Sequence, residues 1–185
     1  MARIALHHRP SLMLKAITAL STKTVGTVPD TILVALHHRG YAVATVAHEA
    51  LASRWRTLSP THQALAVMSS AREVGCSWCV DFGYWVSHHK GVSPQKLSHI
   101  AEAATHGVYT EVDRAVIHYA AAMSRTPPEV TDEMVSGLRE HFSDKQLVEL
   151  TALVALENQR SRMNAALGLT SQGFSDRCTI PATAS

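Results

Sequence analysis

Punctuation narrows the possible folds of this chain most. Gly and Pro are infrequent, and where they occur they bracket long stretches whose apolar residues recur at helical spacing. Period-two runs of β-branched and aromatic residues are missing, so no segment reads as a strand. The expected fold class is all-α: one domain over 1–185, a helical bundle of about seven to nine helices. A helical extension is expected over about 1–28 and an irregular tail over about 169–185.

The breaks and caps divide the chain. Pro10 and Ser11 precede a first helix, Gly26 to Pro29 separate it from a second, and Gly40 marks the junction with a third. Ser59-Pro60 combines an N-cap with a proline suited to the first turn, and opens a helix that runs to Gly75. The next helix starts there and ends near Gly91, after which Ser93-Pro94 begins a short helix reaching about Thr105. Thr110 with Asp113, Thr131, and Ser143 with Gln146 mark three further starts, and the last of these helices stops at Gly168.

Composition excludes some functions. Apolar residues make up 46% and charged residues 17%, enough to bury a core, and the net charge of +2 is spread with no basic block. Neither nucleic acid nor an acidic membrane surface is indicated as a partner. No apolar stretch approaches the roughly 18 residues of a membrane span. Lys15 interrupts the apolar N-terminal run, which reads as an amphipathic helix rather than a signal peptide. Three cysteines, two of them in C-x-x-C and Cys178 in the tail, do not make a disulfide framework. That usage suits a reducing compartment, and the expected location is cytoplasmic.

The chemistry is concentrated in "AREVGCSWCVDFGYWVSHHKG", residues 71–91. Cys76 and Cys79 stand three apart at a helix start, so they share a face and can close a disulfide. The free N–H groups and positive dipole end of that helix favour thiolate at Cys76. Three readings stay open on these residues: a redox pair, half of a metal site, or two small core residues. Zinc needs four ligands, and no second C-x-x-C or closely spaced Cys/His pair completes the set. His88 and His89 lie about 13 Å further along the helix and cannot reach the same ion from it; they read as its exposed polar end. "HEALAS" at 48–53 begins like a zincin helix but has Ala52 where the second His belongs.

The segment "HQALAVMSSAREVGCSWCVDFGYWVSHHKGVSPQKLSHI" resembles the core of the carboxymuconolactone decarboxylase and alkylhydroperoxidase D-like family, over roughly residues 30–125. "KGVSPQKL" matches the turn that ends the motif helix in many members. The resemblance implies an all-α chain that assembles as a homo-oligomer, a trimer or hexamer. It also implies a thiol-dependent peroxidase or disulfide reductase with Cys76 and Cys79 as catalytic residues. A small hydroperoxide would be the substrate and an external dithiol or thiol the reductant, with no cofactor and no metal. The branch without the cysteines decarboxylates lactones. Family usage gives the peroxidatic part to Cys79, whereas the dipole argument favours Cys76.

Two positions depart from that pattern. The peroxidase relay has Glu twelve residues before the first Cys and His four after the second; here these are Ala64 and Gly83. Another group must then accept the proton. The candidates are Glu73, three before Cys76, and Glu49, His48 and His118 within apolar helices. Asp81 lies about 200° round the helix from Cys79 and reads as a surface or capping residue. Glu157, Arg160, Ser161 and Asn164 form a polar stripe in the last helix; a Glu157–Arg160 ion pair is one reading, a polar wall near the thiols the other. Trp78, Phe82, Tyr84 and Trp85 read as core or subunit contacts. Cys178 is expected to be dispensable for thiol chemistry. The competing function class is a non-catalytic oligomeric helical protein whose thiols are structural or redox-sensing.

Overall fold

The computed structural model describes residues 2–7 and 12–178; the expected first-helix start at Pro10–Ser11 lies outside the described residues. These form nine α-helices and no strand: α1 (Leu12–Val25), α2 (Asp30–Ala35), α3 (Arg39–Ala52), α4 (Pro60–Val74), α5 (Ser77–His89), α6 (Pro94–Ser98), α7 (Glu111–Ser124), α8 (Asp132–Arg139) and α9 (Asp144–Ala166). Short 3-10 turns follow α6 at Ile100–Glu102 and lie in the tail at Ser175–Arg177. The all-α expectation holds. None of the helices is long and apolar enough to cross a membrane.

Four of the predicted starts carry side-chain caps, while Ser93 begins α6 without one. Ser59 accepts the His62 N–H, with Pro60 in the first turn, and Thr131 accepts the Met134 N–H. Thr110/Asp113 and Ser143/Gln146 both form complete capping boxes. Asp113 is also bonded by Lys96, which ties α6 to α7.

Helix α4 is the axis of the bundle, packed against α5, α7 and α9. Leu65, Ala66, Met68, Val116, Ala120, Leu150 and Val154 are buried among these helices. Truncating one of the large residues, such as Leu65→Ala, costs about 2–5 kcal/mol. The loop before α4 is held by Glu149 of α9, which accepts from Thr57 N–H and Oγ1, Leu58 N–H and Gln63 Nε2. By contrast, α3 leaves Val43, Val46 and Leu51 exposed.

One glycine decides where the thiols sit. Gly75 ends α4 at φ 79°, a conformation side chains other than Gly rarely adopt. The chain reverses there in a C-terminal cap that includes the Cys76 N–H to Ala71 C=O bond, and α5 starts one residue later. The C-x-x-C pair therefore straddles the start of α5, at the bottom of the α4–α5 corner.

Candidate active site

Cys76 is the N-cap of α5, and its Sγ accepts the backbone N–H of Cys79 at 3.2 Å. The two cysteines are bonded as a disulfide with Cα atoms 5.3 Å apart. Both are buried, Cys76 at 1% and Cys79 at 5% exposure, so Cys79 is the more accessible. They pack with Ala71, Trp78 and Phe174, and Val25, Phe82 and Trp85 lie around that cluster.

Helix α9 brings a polar line to this pair. Asn164 Nδ2 donates to Cys79 Sγ at 3.3 Å. One turn back, the Ser161 hydroxyl donates to Glu157 Oε1 at 2.7 Å. Arg160 donates to Glu157 Oε2 at 3.1 Å and grips Glu49 of α3 with two further N–H groups. Glu157, Ser161 and Asn164 recur at i, i+4 and i+7, so they share one buried face of α9, and its Asn164 end meets α5. Both readings of the stripe are realised: Glu157 and Arg160 are an ion pair, and Asn164 forms a polar wall against a thiol.

Burial pushes the Glu157 carboxyl above its ordinary value, with Arg160 and Ser161 pulling the other way. Arg160 is held above its own ordinary value by Glu49 and Glu157 despite burial. At the outer end of the line, a cavity of about 150 Å³ between α3 and α9 is lined by Tyr41, Thr45, His48, Glu49, Gln159 and Arg160, among others. A carboxyl whose proton affinity burial raises, a hydroxyl and an amide thus follow one another along α9 toward Cys79.

The other candidate acceptors do not join the line. Glu73 is bonded by Arg125, and both are substantially exposed. His118 lies exposed on α7 and His48 exposed on α3, which corrects the expectation of buried partners there; His48 borders the cavity only. Ala64 and Gly83, where the relay pair was sought, are packing positions. Ala64 is in the core, and a Cβ at Gly83 would come 2.9 Å from Met68 Sδ where α5 crosses α4. A small residue at 83 allows that close crossing, so the imidazole position is given over to helix packing.

Asp81 is the main correction. It is no surface residue: it is 5% exposed and anchors the tail. Oδ2 accepts from Ser171 Oγ and from the backbone N–H groups of Gln172 and Phe174, and Oδ1 from the N–H and hydroxyl of Ser175. Although burial opposes ionisation, these donors hold its carboxyl down to about 2. The tail is consequently built rather than irregular over its described part. Phe174 is fully buried against Trp78 and Phe82, and Gln172 accepts from Trp78 Nε1 and from the Asp30 N–H. Sequence reasoning missed Gln172, Phe174 and Ser175, because "TSQGFSD" has no periodicity that marks a docking strap. Burial and the neighbouring Asp81 raise the Cys178 thiol, making it a poor nucleophile.

The C-x-x-C stands at a helix start in an all-α bundle, and comparison with known proteins bears on that fold. No family model matches the chain. It is 33% identical over 124 residues to the uncharacterized protein YnjA of Escherichia coli, a match covering 67% of this chain and just under two thirds of YnjA, 66%. Among solved structures, the debrominase Bmp8 in complex with 2,3,4-tribromopyrrole superposes with a TM-score of 0.83 at 19% identity, covering 95% of this chain and 96% of that one. The alkylhydroperoxidase AhpD core of a peroxidase-related protein from Ralstonia eutropha gives 0.77 at 22%, covering 94% of each. The chain has the alkylhydroperoxidase D-like fold. The match to an alkylhydroperoxidase AhpD core agrees with the fold that the sequence resemblance implied.

Proposed function

We propose that this chain is a two-thiol oxidoreductase that reduces a small hydroperoxide, with Cys79 as the attacking thiol and Cys76 as the resolving one. The observation that carries this reading is the Cys76–Cys79 pair at the N-terminus of α5 with the Asn164 amide donating to Cys79 Sγ. A hydrogen bond to the charged form favours thiolate, which opposes the cost of burying it.

In the reaction, the Cys79 thiolate attacks the terminal oxygen of the hydroperoxide and the O–O bond breaks. The alkoxide leaves as an alcohol after taking a proton, for which Glu157 is the buried acid on the same helix face. Cys79 is left as a sulfenic acid, Cys76 attacks its sulfur, water departs and the disulfide forms. One hydroperoxide and two thiols become one alcohol, one water and one disulfide. An external dithiol then reduces the disulfide by exchange, and a homo-oligomer is the assembly we expect to carry it out. Bmp8 was solved with a brominated pyrrole, so such a compound belongs in the assay as a second electrophile that a dithiol can reduce.

The test is thiol titration before and after peroxide, followed by turnover with a dithiol. Cys76→Ser and Cys79→Ser are each expected to abolish peroxide-dependent disulfide formation and leave helical content nearly unchanged. A single mutant that turns over at the parental rate overturns the two-thiol mechanism. A wild-type pair inert toward both electrophiles overturns the enzyme and favours structural thiols.

A further inference from the structure

The C-terminal end of α5 carries a second set of sulfur and nitrogen ligands that the thiol chemistry does not use. One ring nitrogen of His88, one of His89 and the Cys178 Sγ all lie within 4.8 Å of one another. The helix supplies the two histidines and the tail the cysteine, so the set exists only because the tail is docked. Docking is enforced by the Asp81 bonds and by the buried Phe174 ring, and the Cys178 N–H to Ser175 C=O bond closes the tail's last turn.

The histidines are also prepared. His89 Nδ1 is 2.8 Å from the Trp85 carbonyl oxygen, which only accepts, so Nδ1 carries the hydrogen and Nε2 keeps its lone pair. A backbone carbonyl on the far nitrogen is the usual outer partner of a metal-bound imidazole. The Trp85 ring, 4.3 Å from that of His89, and the Tyr84 ring stacked on His88 limit the rotation of both. Among the described residues Cys178 is the free cysteine, since Cys76 and Cys79 are paired.

We infer that His88, His89 and Cys178 bind a borderline-soft transition-metal ion of the Zn²⁺ class, which fastens the C-terminal tail to the end of α5. The ligand set, two imidazoles and a thiolate with no carboxylate, suits Zn²⁺ or its neighbours and not Mg²⁺ or Ca²⁺. Ligands of a tetrahedral zinc ion, at about 2.1 Å for nitrogen and about 2.3 Å for sulfur, stand about 3.5 Å apart. About an ångström of side-chain rotation closes the set. Three protein ligands leave a fourth position for water or a small anion. Binding exchanges the thiol proton for the metal, with no change of oxidation state. The tail packs Phe174 against Trp78 of the thiol cluster, so a metal here steadies one wall of the candidate active site from its far end.

The experiment uses the oxidised protein, in which the Cys76–Cys79 disulfide leaves Cys178 as the free thiol. Co²⁺ is titrated and thiolate-to-cobalt charge-transfer absorption recorded; Zn²⁺ affinity follows from competition with a chromophoric chelator. One ion per chain and a charge-transfer band are expected. Cys178→Ser should abolish the band, and His89→Ala should weaken Zn²⁺ by more than the roughly 10–100-fold that follows loss of an outer partner. Zn²⁺ should also slow tryptic cleavage after Arg177 in the parent and not in Cys178→Ser. Circular dichroism confirms that each variant is folded. Absence of the band, an affinity unchanged in Cys178→Ser, or a band that survives in the His88→Ala/His89→Ala double variant overturns the site.

Discussion

Two buried carboxylates stand on the two helices that meet at Cys79, and they are opposites. Asp81, on α5, faces the tail and is surrounded by five donors; its carboxyl is held down to about 2. Glu157, on α9, accepts from one hydroxyl and one guanidinium shared with Glu49; burial outruns these and its carboxyl is pushed up. Asp113 and Glu149, each encircled by donors, are held down like Asp81. The contrast separates structure from chemistry. A carboxylate whose lone pairs are filled by backbone N–H groups is a fixed anion that docks a segment. One left short of donors in a buried site holds a proton more tightly than an ordinary carboxyl does.

The largest effect that tests this contrast is on rate. Glu157→Gln keeps the shape and removes the acid, so peroxide-dependent disulfide formation should fall about 100-fold. Its stability should hold or rise by about 1 kcal/mol at pH 8, because Arg160 retains Glu49 and a costly buried charge is gone. The sign follows from the raised carboxyl: its contribution is complete below the ordinary 4.5 and is lost as pH rises through the raised value. Stopped-flow thiol oxidation together with thermal melts at pH 5 and 8 checks both halves. Parental rates would assign the proton to another group.

Asp81→Asn should do the reverse, costing about 2–3 kcal/mol of stability by setting amide hydrogens against backbone donors. Here the depressed carboxyl contributes stability above about 3.8 that disappears as pH falls through about 2, so the mutant and parental urea midpoints should converge in acid. A constant gap between them would assign the loss to packing rather than to charge.

Asn164→Ala removes the donor on Cys79. A hydrogen bond to a charged group is worth about 1.5–3 kcal/mol, which at about 1.36 kcal/mol per unit raises the thiol pKa by about 1–2 units. The pH dependence of iodoacetamide alkylation of the reduced protein reads this directly, and an unchanged profile would mean that the helix end alone activates the thiol.

Glu73→Gln has the smallest expected effect. Its pair with Arg125 is exposed, so stability should change by at most about 1 kcal/mol and the oxidation rate should not change. A loss of rate there would move the proton acceptor off α9 and dissolve the contrast with Asp81.

Much of the scaffold was legible because its signals are local. Ser59-Pro60, Thr110 with Asp113, Ser143 with Gln146, and Gly75 all act on N–H and C=O groups within one turn. Spacing therefore placed the starts of α4, α7, α8 and α9 and put the C-x-x-C at the head of α5. The polar stripe on α9 was likewise visible as a break in an apolar face. Its destination was not: "ENQRSRMN" does not say that Asn164 meets Cys79 while Glu157 turns toward Arg160 and Ser161. Asp81 was misjudged for the same reason, since angle on a helical wheel gives direction and not what stands in that direction.

The sequence by itself determined an all-helical chain, the helix boundaries set by caps and left-handed glycine, and two thiols able to pair across one turn. Those outcomes depend on groups at most five residues apart, whose geometry the backbone imposes before any packing. Tertiary structure alone decided which carboxylate became an anchor and which an acid. The contacts responsible join residues 85 to 94 apart, Asn164 with Cys79 and Ser175 with Asp81, and exist only once α9 and the tail have packed against α5. Burial and donor count set a carboxyl's proton affinity, and both belong to the packed molecule rather than to the residue.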